Sequence, residues 1–94
     1  MYIRLVQFTF GPGMRSKVEE LAAELGPAIE AQDGCNGVTF FGDDSDGEYG
    51  LSVLWESQEN ADAAAAVISP KLQRALAGNV QGPPSIRLYE VISS

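Results

Sequence analysis

The chain has 94 residues, with six Lys and Arg against thirteen Asp and Glu, a net charge of −7, one cysteine and no histidine. That length suits one domain around one core, so residues 1–94 are read as a single unit. The acidic balance excludes phosphate-backbone binding and attraction to an anionic membrane, because both need clustered Lys and Arg; neither nucleic acid nor membrane is an expected partner.

Residues 2–10, YIRLVQFTF, are β-branched and aromatic with no breaker, and read as a strand. They lack the basic-then-apolar pattern of a leader, and no apolar run nears the roughly 18 residues of a spanning helix, so a cytoplasmic location is expected. Gly11-Pro12-Gly13 ends the strand. From Arg15 to Ala31, apolar residues at Val18, Leu21, Ala22, Leu25 and Ile29 make one stripe of helical spacing. Gly26-Pro27 predicts a kink or restart there. Asp33-Gly34 is a turn, and Cys35 to Gly42 reads as the second strand.

The acidic run from Asp43 to Asp46, closed by Gly47, predicts a solvated hairpin turn. It lacks the roughly twelve-residue ligand spacing of a calcium loop. The third strand, Glu48 to Trp55, places Tyr49, Leu51, Val53 and Trp55 on one face, with Gly50, Ser52 and Leu54 on the other. Ser57 is positioned to cap a second helix, which runs through ADAAAAVI to Ser69-Pro70, continues or restarts there with KLQRAL, and stops at Gly78. After the Gly82-Pro83-Pro84 loop, Ile86 to Ile92 reads as the last strand.

This βαββαβ order is the split βαβ pattern, α+β in class. Right-handed crossovers put both helices on one face of a four-stranded antiparallel sheet, with the first and third strands central. The other face also carries apolar residues: Ile3 and Leu5 on the first strand, Phe41 on the second, Tyr89 on the fourth. A sheet face left to water alternates more cleanly than this. The simplest cover is the sheet of a second subunit, so a homodimer through the sheet face is expected.

The stretch GCNGVTFF, an acidic turn, then EYGLSVLWESQENADAA resembles the antibiotic biosynthesis monooxygenase domain family. The resemblance covers the whole chain in layout and about forty residues in motif. It implies a ferredoxin-like fold assembled as a dimeric α/β barrel, with Trp55 at the position of a pocket-lining tryptophan. It further implies cofactor-independent oxidation of a small phenol- or quinol-type aromatic, or else a non-catalytic ligand-binding or assembly module of the same fold. The haem-degrading branch of this superfamily needs a second-helix histidine, which this chain lacks, and a first-strand asparagine, near which Val6 and Gln7 stand. No cofactor is expected. The polar pocket residue of the aromatic-polyketide oxygenases, four positions before the tryptophan, is Leu51 here.

The candidate substrate-binding residues are Trp55, Tyr49, Phe8 and Phe40 as pocket walls, and Arg4 as a group that stabilises an anionic oxygen. Tyr89 and Arg87 are further candidates for wall and cation. No catalytic residue and no metal ligand is assigned. Cys35 has no neighbouring basic residue to lower its pKa, and is expected to be buried.

Overall fold

The computed structural model describes residues 1–94. Its elements follow the expected order: β1 (Tyr2–Thr9), α1 (Arg15–Glu30), β2 (Cys35–Asp43), β3 (Glu48–Trp55), α2 (Gln58–Leu76) and β4 (Ser85–Glu90). The strands form one antiparallel sheet, ordered β2-β3-β1-β4, with both helices against one face. This is the ferredoxin-like α+β arrangement, and β1 and β3 are its central strands.

Strand alternation decides which side chains the helices cover. Tyr2 lies opposite Trp55, Arg4 opposite Val53 and Val6 opposite Leu51, so these six share the helix-covered face. Tyr49, Leu51, Val53 and Trp55 are all buried, as are Val6, Phe8 and Phe10. They pack on the α1 stripe of Val18, Leu21, Leu25 and Ile29 and on Ala61, Ala64, Ile68, Leu72 and Leu76 of α2. Leu25, Ile29 and Leu51 are the most deeply enclosed large side chains, and burying each contributes about 1.5–3 kcal/mol.

The helices do not cover the sheet evenly. α1 lies chiefly over β2, while α2 touches β1 and β3. No helix packs closely on β4, and Ile86, though on the helix-covered face beside Val6, is 46% exposed. The opposite face carries Ile3, Leu5 and Leu54 half-buried, with Phe41 and Tyr89 exposed.

Three expectations are corrected. α1 runs through Pro27 without breaking. That proline stands within the last turn, where it leaves only the Ala23 carbonyl without its usual i+4 donor and where little helix remains to be bent. Gly26 before it also has no Cβ to meet the pyrrolidine ring. α2, by contrast, continues through Pro70 as one helix, one of the two forms expected of it. β4 stops at Glu90 rather than Ile92: Val91 N–H still donates to the Met1 carbonyl, but Ile92 is 96% exposed. Cys35 is half-buried rather than enclosed.

Ser57 caps α2 as expected, its hydroxyl accepting from the Asn60 N–H at 3.1 Å. The β2–β3 turn closes with the Gly47 N–H donating to the Asp43 carbonyl at 2.8 Å, with Gly47 at φ 74°. A Cβ at Gly47 would overlap the backbone of Gly11 and Pro12, which crosses directly against it. Gly78 has a similar φ, 81°, but open space around it. Gly47→Ala should therefore lower stability by at least about 2 kcal/mol and Gly78→Ala by only about 1 kcal/mol, read as shifts in urea midpoint. Equal shifts would show that the turn's approach to Gly11 contributes nothing.

Candidate functional site

The Trp55 end of β3 meets the first half of α2, where the helix turns Ala61 and Ala65 toward the sheet. Alanine has no side chain beyond Cβ, so the two layers leave a gap. Trp55, Val53 and Leu51 form its floor, Ile68 and Leu72 close it from α2, and Ile29 reaches in from α1. Arg4 and Ile86 border it on the β1–β4 side. The cavity measures about 60 Å³. That is room for about two waters at roughly 30 Å³ each, against the roughly 150 Å³ of a cavity that takes benzene.

Two polar groups stand out in this apolar lining. Trp55 is 3% exposed, yet its indole Nε1–H has no hydrogen-bond partner. Buried donors are nearly always paired, and leaving one unpaired costs about 1–3 kcal/mol. Arg4 is the only charged residue on the cavity. Its guanidinium makes one contact, to Asp62 Oδ1 on α2 at 3.4 Å, and its side chain is 22% exposed.

The predicted site residues do not gather in one place. Trp55 and Arg4 share the cavity just described. Tyr49 and Phe40 instead line a separate groove of about 280 Å³ between α1 and β2, with Arg15, Glu19 and Asp44. Phe8 is core: its ring centroid lies 4.9 Å from Phe10 and 6.4 Å from Tyr49. The reason is strand length. Tyr49 and Trp55 share a face but are six residues apart, about 20 Å along a strand. Arg87 and Tyr89 are on the opposite face, the guanidinium 5.3 Å from the ring centroid.

Tyr49 has a structural task that sequence reasoning missed. Its hydroxyl donates to Asp44 Oδ1 at 2.5 Å and accepts from the Met14 N–H at 3.2 Å. The Arg15 N–H donates to the same Asp44 oxygen at 3.1 Å. Met14, at the head of α1, has no side chain able to cap it, so Asp44 supplies the carboxylate from the hairpin turn. A helix start without Ser, Thr, Asp or Asn, in a chain with an acid-rich turn elsewhere, was the available signal. Asp43 Oδ1 accepts from the Ser45 and Asp46 N–H groups, so the acidic run serves as turn chemistry.

Burial first, and then the bond to the Asp44 carboxylate, hold the Tyr49 phenol above its ordinary 10.0; the Met14 N–H works the other way. A raised value means that the folded state resists ionisation. The associated stability is complete below the unfolded tyrosine pKa and is lost as pH rises through the folded one. Of the chain's three tyrosines, one should therefore titrate late by ultraviolet tyrosinate absorbance, and Tyr49→Phe should remove that late step. Stability should begin to fall above about pH 10 in the wild type. Three phenols titrating together would refute the assignment.

The chain matches the family model described as antibiotic biosynthesis monooxygenase over residues 1–77. It belongs to that family. Among curated proteins no sequence matches it. Its fold is shared with a Streptomyces coelicolor monooxygenase, from the gene ActVA-Orf6, in complex with nanaomycin D (TM-score 0.80, 22% identity, covering 99% of this chain and 88% of that one). It is shared equally with SnoaB, a cofactor-independent oxygenase of Streptomyces nogalater (TM-score 0.80, 18% identity, 99% and 94% covered). Rv0793 of Mycobacterium tuberculosis also has it (TM-score 0.76, 19% identity, 99% and 96% covered). At these identities the likeness is one of fold. No helix of the chain is long and apolar enough to cross a membrane.

Proposed function

We propose that this protein is a monooxygenase-like homodimer that takes a small phenol- or quinol-type aromatic between its sheet and α2 and oxidises it with dioxygen, without a cofactor. The observation that carries this reading is the buried, unpartnered Nε1–H of Trp55, a residue that lines an otherwise apolar cavity. Such a donor is suited to an oxygen of a ligand whose ring rests on the indole and Ile86. The fold neighbours named above, one a monooxygenase with bound nanaomycin D and one a cofactor-independent oxygenase, support the same class.

For an anthrone-type substrate the reaction balances without any further reactant. The methylene loses two hydrogens and four electrons; one oxygen atom becomes the new carbonyl and the other leaves as water. The protein's part is to enclose the ring, to donate from Trp55 to the oxygen on which negative charge develops, and to keep bulk water from it. Oxygen uptake with anthrones and hydroquinones should exceed the buffer rate, and Trp55→Phe, which keeps the ring but removes the donor, should lower it by about tenfold or more. Wild-type uptake no faster than buffer would end the catalytic reading.

A second reading is favoured by two observations. Leu51 stands where the polyketide oxygenases carry a polar pocket residue, and about 60 Å³ is well below the roughly 300 Å³ at which ligand pockets begin. On this reading the chain is a binding or assembly module of the same fold. Binding to Trp55 without oxygen uptake is its signature.

The dimer rests on the helix-free sheet face, where Ile3, Leu5, Leu54, Phe41 and Tyr89 form an apolar surface with no cover from this chain. A second copy related by a two-fold axis covers it, and would also crowd the open flank of β4. Sedimentation should show a dimer, and Leu5→Asp should yield a folded monomer. A wild-type chain sedimenting as a monomer would refute this arrangement.

A further inference from the structure

We infer that the Trp55 cavity selects carboxylate-bearing aromatic molecules, with Arg4 as the specificity residue and Asp62 as the intramolecular carboxylate that the ligand displaces. This rests on the cavity reading above and adds the charge and chemical class of the ligand.

Arg4 is placed by strand register. It pairs with Val53 on β3 and Leu88 on β4, which sets it diagonal to Trp55 on the same face of the sheet. Its side chain is mostly withdrawn from water, and the residue lines the cavity. A guanidinium has five N–H donors in a planar fork. Only one contact is made here, to Asp62, at 3.4 Å through a single nitrogen. Charge-assisted pairs of this kind are normally about 2.7–2.9 Å and often bidentate. Asp62 is itself 63% exposed, so water competes for it continuously. The pair is therefore a weak hold on a cation that still has donors to satisfy.

The second donor is the Nε1–H of Trp55, buried and without an acceptor. Two residues with under-satisfied donors line one cavity, and the lining otherwise offers apolar carbon and the half-buried Ser69. Neither Arg4 nor the indole can accept a hydrogen bond. A complementary ligand is consequently rich in acceptors, anionic and apolar in its body. A carboxylate meets the guanidinium fork with two oxygens, as a phenolate cannot, and the group already resting on Arg4 is a carboxylate. The ring then lies toward Trp55 and Ile86, on the side that α2 leaves open above β4.

The test uses the intact, nitrogen-15-labelled protein, whose sole tryptophan gives one indole N–H resonance. Naphthoate, the neutral naphthamide and nitrophenolate are titrated in parallel, with affinity taken by calorimetry. Naphthoate should shift the indole resonance and bind about tenfold more tightly than naphthamide, with nitrophenolate between them. Arg4→Gln should bring the naphthoate-to-naphthamide ratio to about one while leaving naphthamide binding in place, and Arg4→Lys should restore part of the preference. Asp62→Asn, on an exposed helix position, should tighten naphthoate by about threefold.

A ratio that Arg4→Gln leaves unchanged overturns the assignment of Arg4. So does naphthamide binding as tightly as naphthoate, and in both cases the shift of the indole resonance keeps the cavity reading alive. Tighter binding of nitrophenolate than of naphthoate overturns the carboxylate class. If no probe moves the indole resonance, the cavity reading and this inference fall together. Unchanged naphthoate affinity in Asp62→Asn overturns the displacement of Asp62.

Discussion

The alternation of β3 is the constraint from which the other features of this fold follow. Tyr49, Leu51, Val53 and Trp55 stand in one row because successive strand residues point to opposite faces, and that row is the floor on which both helices rest. A shift of one residue in its pairing would turn the row to the opposite face and leave Gly50, Ser52 and Leu54 to meet the helices. Gly50 adds to the register. A Cβ there would run into the Val6 carbonyl and the Phe41 ring, so at this position the pairing of β1 with β3 requires glycine.

What the row holds differs at its two ends. At the Tyr49 end the layers are tied by polar contacts, with the phenol and Asp44 joining the hairpin turn to the head of α1. At the Trp55 end the contact is apolar and thin, because alanines face the sheet from α2. Van der Waals contact falls off steeply with small gaps. The Trp55 end is thus the more yielding of the two, which is where a ligand-sized space opens at least cost. The unpaired indole donor and the loosely held Arg4 lie there too.

Much of the fold was legible in residues taken one at a time. The strands of nearly continuous β-branched and aromatic residues, the helical stripe from Val18 to Ile29 and the Ser57 cap are local signals, and each appears where expected. Pro27 misled because a proline's cost depends on where in a helix it falls and on what precedes it, here a glycine. The end of β4 was misread for a related reason: Ile92 has strand character, but β1 begins at Tyr2, so a strand continuing past Glu90 has no neighbour to pair with. Apolar residues without a partner strand do not make a strand.

The site was less legible than the fold. Sequence alone determined the element order, the face on which each strand residue lies and the absence of histidine chemistry, because these depend on composition and period. Tertiary structure decided that Trp55 and Arg4 border one cavity while Tyr49 and Phe40 border another, and that Phe8 belongs to the core. It also decided that Asp44 serves a helix beginning 29 residues earlier. Such groupings depend on distances between elements remote along the chain, and these emerge only when side-chain volumes on facing layers are packed against each other.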